Sequence, residues 1–140
     1  MTDTTNFAPQ AQRTQPLYVR LAQLVGAYHG AAQQDNWDWV ERHGDAAEAL
    51  VRERMPSGSG FDAGTQLDLE ASTDNELVLT TTFHHMNEQG TYDGWTEHTV
   101  RVRPHLAHGL TLGVSGRDRN DVKDYITEQF ELALTAQVPY

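Results

Sequence analysis

Imidazole and carboxylate side chains concentrate in one segment of the chain, FHHMNEQGTYDGWTEH, which spans residues 83–98. Imidazole groups exchange protons near neutral pH, and imidazoles together with carboxylates suit zinc or another transition metal. The candidate metal ligands are His84, His85, Glu97 and His98, and Asp62 or Asp93 could complete the set. The segment contains no HExxH spacing. The prediction of a metal site therefore rests on the types of its residues and not on their spacing.

Strand alternation decides which of these side chains can meet. Every second residue of a strand faces the same side of the sheet. If the neighbouring aliphatic residues mark the core, His85 and His98 point inward together at one end of a hairpin. His84 and Glu97 then point outward and face each other, with Cβ atoms roughly 5 Å apart, if the turn has about six residues. The alternative is that the inward histidines are hydrogen-bonded core groups and the outward side chains are solvated.

Two aromatic residues, Tyr92 and Trp95, flank Asp93-Gly94, a pair that is typical of a β-turn. Exposed Tyr and Trp side chains on a turn would form a recognition tip, because interface hot spots favour these residues. Trp95 could equally fold over the edge of the sheet and pack there.

The segment PSGSGFDAG, residues 56–64, is rich in glycine. It could cradle an anion or present Asp62, but it lacks the lysine and the spacing of a phosphate-binding P-loop. The other interpretation is a connector that turns a tight corner between a helix and a strand.

The segment SGRDRNDVKDYI, residues 115–126, begins with alternating arginines and aspartates. Carboxylates such as Asp118 would complement the dipole of a helix that starts here. Arg117 could instead pair with Glu97 or Asp93, or bind a ligand carboxylate or phosphate through two parallel hydrogen bonds.

The elements that must position these residues follow from hydrophobic periodicity. Helices are predicted over about 16–34 and 36–54, strands over 65–71, 76–86, 95–103 and 110–114, and a last helix over about 120–134, capped by Asp118 or Asn120. The predicted fold is α+β, with an N-terminal helical hairpin, a four-stranded antiparallel meander and a C-terminal helix in two layers. Residues 1–15 are predicted to be a disordered lead-in, and residues 16–137 a single domain.

Charge and composition narrow the classes of function. The chain of 140 residues has no cysteine and a formal net charge of −10. Residues 55–100 contain eight carboxylates and no Lys or Arg, which disfavours direct nucleic-acid binding and suits a partner with a basic groove. The absence of cysteines and of long apolar runs favours the cytoplasm over a membrane.

The three glycine- and charge-rich segments together resemble the signature of a family of small uncharacterised proteins of bacteriophages, plasmids and other mobile elements. The similarity spans about Leu17 to Leu134. It implies an accessory role in a mobile element and assigns no site residue or cofactor.

Three functional hypotheses follow from the sequence. The first is a non-enzymatic binding protein without a cofactor, which acts on a host or element protein through an acidic, aromatic-tipped β face; one version mimics the charge of a nucleic acid. The second is a small metal-dependent hydrolase that uses the His/Glu cluster of the central hairpin. The third is a homodimer, formed through exposed aromatics and the two glycines of the first helix. The candidate binding residues are Asp62, His84, His85, Tyr92, Asp93, Trp95, Glu97, His98, Arg117 and Asp118.

Overall fold

Three helices and two antiparallel sheets form the part of the chain that the computed structural model describes, residues 13–58, 60–61, 64–86, 89–105 and 109–140, with Asp93 in its backbone alone. In chain order the elements are β1 (Thr14–Pro16), α1 (Leu17–Gln33), α2 (Trp37–Arg54), β2 (Thr65–Leu67), β3 (Leu77–Met86), β4 (Tyr92–His105), β5 (Gly109–Val114), α3 (Asn120–Thr135) and β6 (Gln137–Pro139). The predicted α+β class is confirmed. None of the helices in these ranges is long and apolar enough to cross a bilayer.

The first two helices form the predicted hairpin. α1 buries Leu17, Leu21, Leu24 and Val25 along one stripe, as its hydrophobic spacing predicted. Asn36 occupies the position before α2, but its side chain makes no capping hydrogen bond. The two glycines of α1 differ in surroundings: a Cβ on Gly26 would make an ordinary contact with Asp74 at 3.5 Å, whereas Gly30 faces open space.

The larger sheet has the strand order β2-β3-β4-β5, in which every neighbouring pair is antiparallel. This is the predicted meander. Its inner face and the apolar stripe of α3 share one core, to which the strands contribute Leu77, Leu79, Val100 and Val102 and the helix Val122, Ile126, Phe130 and Leu134. Each such side chain stabilises the fold by about 1.5–3 kcal/mol relative to its exposed state.

Two strand boundaries differ from the prediction. β2 ends at Leu67 rather than near residue 71, because the Asp68 carboxylate accepts a hydrogen bond from the Ala71 amide and turns the chain. β4 continues through Pro104, which was predicted to close it. Proline is tolerated there because the pairing of β3 with β4 has already ended at Leu77 and Val102, so no β3 carbonyl needs a donor.

A second, two-stranded sheet joins the two ends of the described chain. β1 pairs with β6, with Gln15 opposite Val138. The side chains of Gln15 and Gln23 exchange two hydrogen bonds, of 2.8 and 3.1 Å, which hold this ribbon against α1. The ribbon was not predicted, and it crosses the expected boundary between lead-in and domain at residues 15 and 16. Residues 1–12 of that lead-in lie outside the described ranges.

Candidate functional site

The register of β3 against β4 sorts the candidate residues onto two faces of the sheet. His84 lies opposite Trp95, and Glu97 lies opposite Thr82. The predicted pairing of His84 with Glu97 is therefore wrong by two residues. The chain reverses between Met86 and Tyr92, earlier than the Asp93-Gly94 pair that was predicted as the turn.

The predicted meeting of His85 and His98 on the inner face is confirmed, and two further side chains join them. Thr96 donates a hydrogen bond of 2.8 Å to Oδ2 of Asp118. Nε2 of His85 lies 2.9 Å from both of those oxygens. Nε2 of His98 lies 2.9 Å from the Thr96 hydroxyl and 3.3 Å from Oδ2 of Asp118. We call these four residues the inner cluster.

The inner cluster is enclosed by protein. The side chain of His98 has no exposed surface, and those of Asp118 and His85 are 6% and 17% exposed. His98 is fixed from behind, since its Nδ1–H donates to the Ser115 carbonyl at 2.9 Å. Gly116 closes this side with φ of +113°; a Cβ there would lie 2.5 Å from the Glu97 carbonyl oxygen and 2.8 Å from Nδ1 of His98.

Asp118 holds the negative charge of this cluster. Burial alone would raise the pKa of the Asp118 carboxyl. The hydrogen bonds from Thr96 and from the Arg119 amide lower this pKa, and the nearby imidazoles of His85 and His98 lower it further. The lowering effects outweigh burial, so the pKa of Asp118 lies below its usual range. The Arg119 amide donates to Oδ1 at 2.7 Å. Asp118 does not cap α3, whose N-cap residue is Arg119 and has no side-chain cap bond.

On the opposite face of the same hairpin lie three exposed side chains, Met86, Tyr92 and Trp95, and the partly buried His84. We call these four residues the outer tip. Met86, Tyr92 and Trp95 are 63%, 53% and 56% exposed, and the rings of His84 and Tyr92 are 5.6 Å apart. The predicted recognition tip is present in this form, and Trp95 does not pack over the sheet edge.

A β-bulge produces this grouping. Residues three apart on a regular strand, such as Tyr92 and Trp95, face opposite sides. Here Trp95 pairs with His84 and Tyr92 with Met86, with Asp93 as the extra residue between them. Gly94 adopts φ of +114°, which side chains with a Cβ rarely accept. Asp93-Gly94 is thus the bulge that turns both rings outward, not the turn of the hairpin.

A polar cavity of about 460 Å³ adjoins the outer tip on the same sheet. Thr82 and Glu97, the next cross-strand pair on the same face after His84 and Trp95, line it. Gln66, Thr80, Thr99 and His98 also contribute to the lining. Glu97 is exposed and forms no ion pair with any residue in the described ranges. The cavity lining contains no Lys or Arg, so it offers a carboxylate to a cationic side chain.

The remaining candidate residues are not brought together. Arg117 is exposed and forms no ion pair with Glu97 or with any other residue that the structure describes. Asp62 and the side chain of Asp93 lie outside the described part. Within the 56–64 loop, Phe61 is buried against Phe83. Gly60 has no room for a side chain, because a Cβ there would lie 2.6 Å from the Phe83 ring. These contacts favour the connector interpretation.

The sheet divides the four candidate metal ligands into two pairs, so they do not form one centre. His85 and His98 belong to the inner cluster, whereas His84 and Glu97 lie on the outer face. Among the described residues, no group of three or more His, Asp or Glu side chains is arranged to hold a metal ion.

Sequence reasoning missed Thr96 and Met86. Thr96 shares the strand parity of His98, and Met86 shares that of His84, so alternation alone could have placed each on its face. The link between Asp118 and the histidines spans 20 residues or more and has no local signal.

Comparison of the chain with protein-family models, curated proteins and solved structures found no match.

Proposed function

We propose that this protein is a non-enzymatic accessory binding protein of a mobile element, which engages a host or element protein in the bacterial cytoplasm through the outer tip. The observation that carries the proposal is the bulge at Asp93-Gly94, which holds Tyr92 and Trp95 on one exposed face with Met86. Tyr and Trp are the residues most enriched among interface hot spots, and methionine adapts its shape to different partners.

The chemistry of the partner follows from what adjoins the outer tip. Glu97 lies in the lining of the neighbouring cavity, which also includes His98 and several threonines and contains no Lys or Arg. The arginines at the far end of this sheet face, Arg101 and Arg103, are held by Glu76 at 3.0 and 2.6 Å. A protein surface with an apolar pocket and an adjacent Lys or Arg fits this arrangement, because the rings would fill the pocket while the cation reaches Glu97.

The burial of the inner cluster also favours binding over catalysis. A general acid or base must come within hydrogen-bond reach of a substrate atom. His98 has no exposed side-chain surface, and its partners are satisfied within the protein.

The test is affinity capture from the host with three forms of the protein: wild type, Tyr92→Ala/Trp95→Ala, and Trp37→Ala. Trp37 is a matched control because it is 63% exposed on α2, away from the sheet. We expect a specific protein to be retained by wild type and by Trp37→Ala and lost by the double variant. Removal of one hot-spot ring costs about 2 kcal/mol or more, which is roughly a 30-fold loss of affinity.

The captured protein is then purified and titrated with each form. Glu97→Gln should weaken binding less than the ring variants and reduce its dependence on salt, because it removes one charge contact. Equal affinity of wild type and the double variant would contradict the proposal, and so would failure of wild type to retain any protein.

Charge mimicry is a narrower version of this proposal. The eight carboxylates of residues 55–100, without an intervening Lys or Arg, support it. In that version the captured partner is itself a DNA- or RNA-binding protein, and a duplex oligonucleotide competes with the outer tip for it. Absence of competition would leave the outer tip as a protein-binding site with no mimicry.

A metal-dependent hydrolase is the second candidate, favoured by one observation. Two imidazole nitrogens and a carboxylate oxygen converge on the Thr96 hydroxyl, each within 2.9 Å. Zinc or another transition metal would have to replace those hydrogen bonds. Elemental analysis of protein purified without a histidine tag tests this: stoichiometric metal that disappears in His98→Ala supports it, and metal-free protein in repeated preparations contradicts it.

A further inference from the structure

The last strand of the four-stranded sheet has an edge that pairs with no other strand of the described residues. β5 pairs with β4 and has no further neighbour in the sheet order β2-β3-β4-β5. Its sequence, GLTLGV, contains no charged residue and no proline. Natural edge strands are normally protected by charges, prolines, bulges or short length. β5 is six residues long and its pairing with β4 is regular, so it lacks all four protections.

The direction of the free backbone groups follows from the ladder. The Ser115 amide donates to the Thr99 carbonyl at 2.9 Å, which identifies Thr99 and Ser115 as a hydrogen-bonded pair. In an antiparallel ladder such pairs recur at every second residue, so Gly113 and Thr111 also bond to β4. The amides and carbonyls of Leu110, Leu112 and Val114 therefore point outward, away from the sheet.

We infer that β5 pairs with β5 of a second copy of this chain, about a twofold axis at Leu112, to join the two sheets into one. In this register Leu110 lies opposite Val114 of the other copy, and each facing pair can exchange two backbone hydrogen bonds. Each copy presents the same residues of β5 to the other, as a twofold interface requires.

Side chains and charge both favour a second copy as the occupant. Leu110, Leu112 and Val114 are only partly buried and pack against the core from the inner face, so the same residues of another copy would extend that apolar layer. The chain carries a net charge of −10, which opposes self-association over most of its surface. At β5 two copies can approach without opposing charged side chains, since the outer face there presents Gly109, Thr111 and Gly113.

The first experiment is light scattering or sedimentation of the full chain over a range of concentrations, with two variants at the same positions. In the twofold register Thr111 faces Gly113 of the other copy, and both are exposed, with open space at Gly113. In the Thr111→Lys/Gly113→Lys variant, lysine faces lysine across the axis. In the Thr111→Lys/Gly113→Glu variant, lysine faces glutamate. We expect wild type and the Lys/Glu variant to dimerise and the Lys/Lys variant to dimerise at least 10-fold more weakly, with circular dichroism confirming that all are folded.

The second experiment is amide hydrogen exchange at low and high protein concentration. Leu110, Leu112 and Val114 should gain protection as the dimer forms, whereas Thr111 and Gly113, bonded within the chain, should be protected at both concentrations. A wild type that stays monomeric at high micromolar concentration overturns the inference, as does a Lys/Lys variant that dimerises as well as wild type. Protection of Leu112 in the monomer also overturns it, because another part of the chain then covers the edge.

Discussion

Two neighbouring histidines on one hairpin have opposite surroundings. His85 belongs to the inner cluster, within 2.9 Å of Thr96 and Asp118, whereas His84 lies on the outer tip beside the exposed ring of Tyr92. The same two strands thus present a hydrogen-bonded polar network to the core and exposed rings to the surface. The difference teaches that residue type alone does not locate a binding site: burial and hydrogen bonding do.

The inner cluster connects elements that are distant in the chain. Thr96 and His98 lie on β4, His85 on β3, and Asp118 just before α3, while Ser115 fixes His98 from the end of β5. Changes here should alter stability, and changes on the outer tip should alter binding with little effect on stability. Four substitution experiments test that division, and they follow in order of decreasing effect on stability.

Gly116→Ala should destabilise the protein most. The new Cβ would collide with the Glu97 carbonyl and with His98, at a φ that alanine rarely adopts. We expect a loss of about 3 kcal/mol or more in the free energy of unfolding, measured by denaturant titration. Gly30→Ala is the control; it faces open space on α1 and should stabilise by about 0.5–1 kcal/mol. A Gly116→Ala variant as stable as wild type would show that the inner cluster is loosely held.

Asp118→Asn should cost about 1–3 kcal/mol at neutral pH, because it weakens the hydrogen bonds from Thr96 and leaves two imidazoles without a carboxylate. The pKa of Asp118 is lowered in the folded protein, so its contribution is fully present above the unfolded pKa of about 4 and is lost as pH falls through the folded value.

The melting temperatures of wild type and Asp118→Asn should therefore begin to converge as the pH falls below about 4, and should meet only below the folded pKa of Asp118. Asp121→Asn is the matched control, since its carboxylate is exposed and pairs loosely with Arg119 at 3.4 Å. A gap between wild type and Asp118→Asn that stays constant from neutral to acid pH would mean that the charge of Asp118 is not what stabilises the fold.

His85→Gln and His84→Gln form the most direct comparison of the two faces. His85→Gln should cost about 1–2 kcal/mol through its lost bonds to Thr96 and Asp118. His84→Gln should change stability by no more than about 0.5 kcal/mol, as is usual at partly exposed positions. Equal losses in parallel thermal melts would remove the distinction between the faces.

Tyr92→Ala/Trp95→Ala should have the smallest effect on stability, within about 0.5 kcal/mol, because both rings are more than half exposed. Its effect on partner capture should be the largest of the series. A strongly destabilised double variant would indicate that the rings hold the hairpin together, and its loss of binding could then not be assigned to the outer tip.

Much of the fold follows from hydrophobic periodicity. The apolar stripes of α1 and α3 and the alternation in β3 and β4 set the elements and the core, because each repeats over several turns or residues. The predicted length of β2 was too great, because a side-chain hydrogen bond of Asp68 ends the strand. The three-residue strands β1 and β6 were missed because so short a segment has no periodicity.

The candidate site was predictable only where strand parity determined it. Parity placed His85 and His98 together and sent His84 outward. It was not applied to Tyr92 and Asp93, because Asp93-Gly94 was predicted as a turn, whereas the structure has a bulge there that inserts one residue and reverses the parity beyond it. The role of Asp118 could not be predicted, because its contact with Thr96 bridges 22 residues and depends on how α3 docks against the sheet.

The ribbon of β1 and β6 places Thr14 opposite Pro139 and lets the Tyr140 amide donate to the Arg13 carbonyl at 3.0 Å. A short linker could therefore join residues 13 and 140, and new termini could be opened in a surface loop, to give a circular permutant with the same core. For the same reason, a force applied to these two ends would load the ribbon first and separate its strands one hydrogen bond at a time before it reached the sheet.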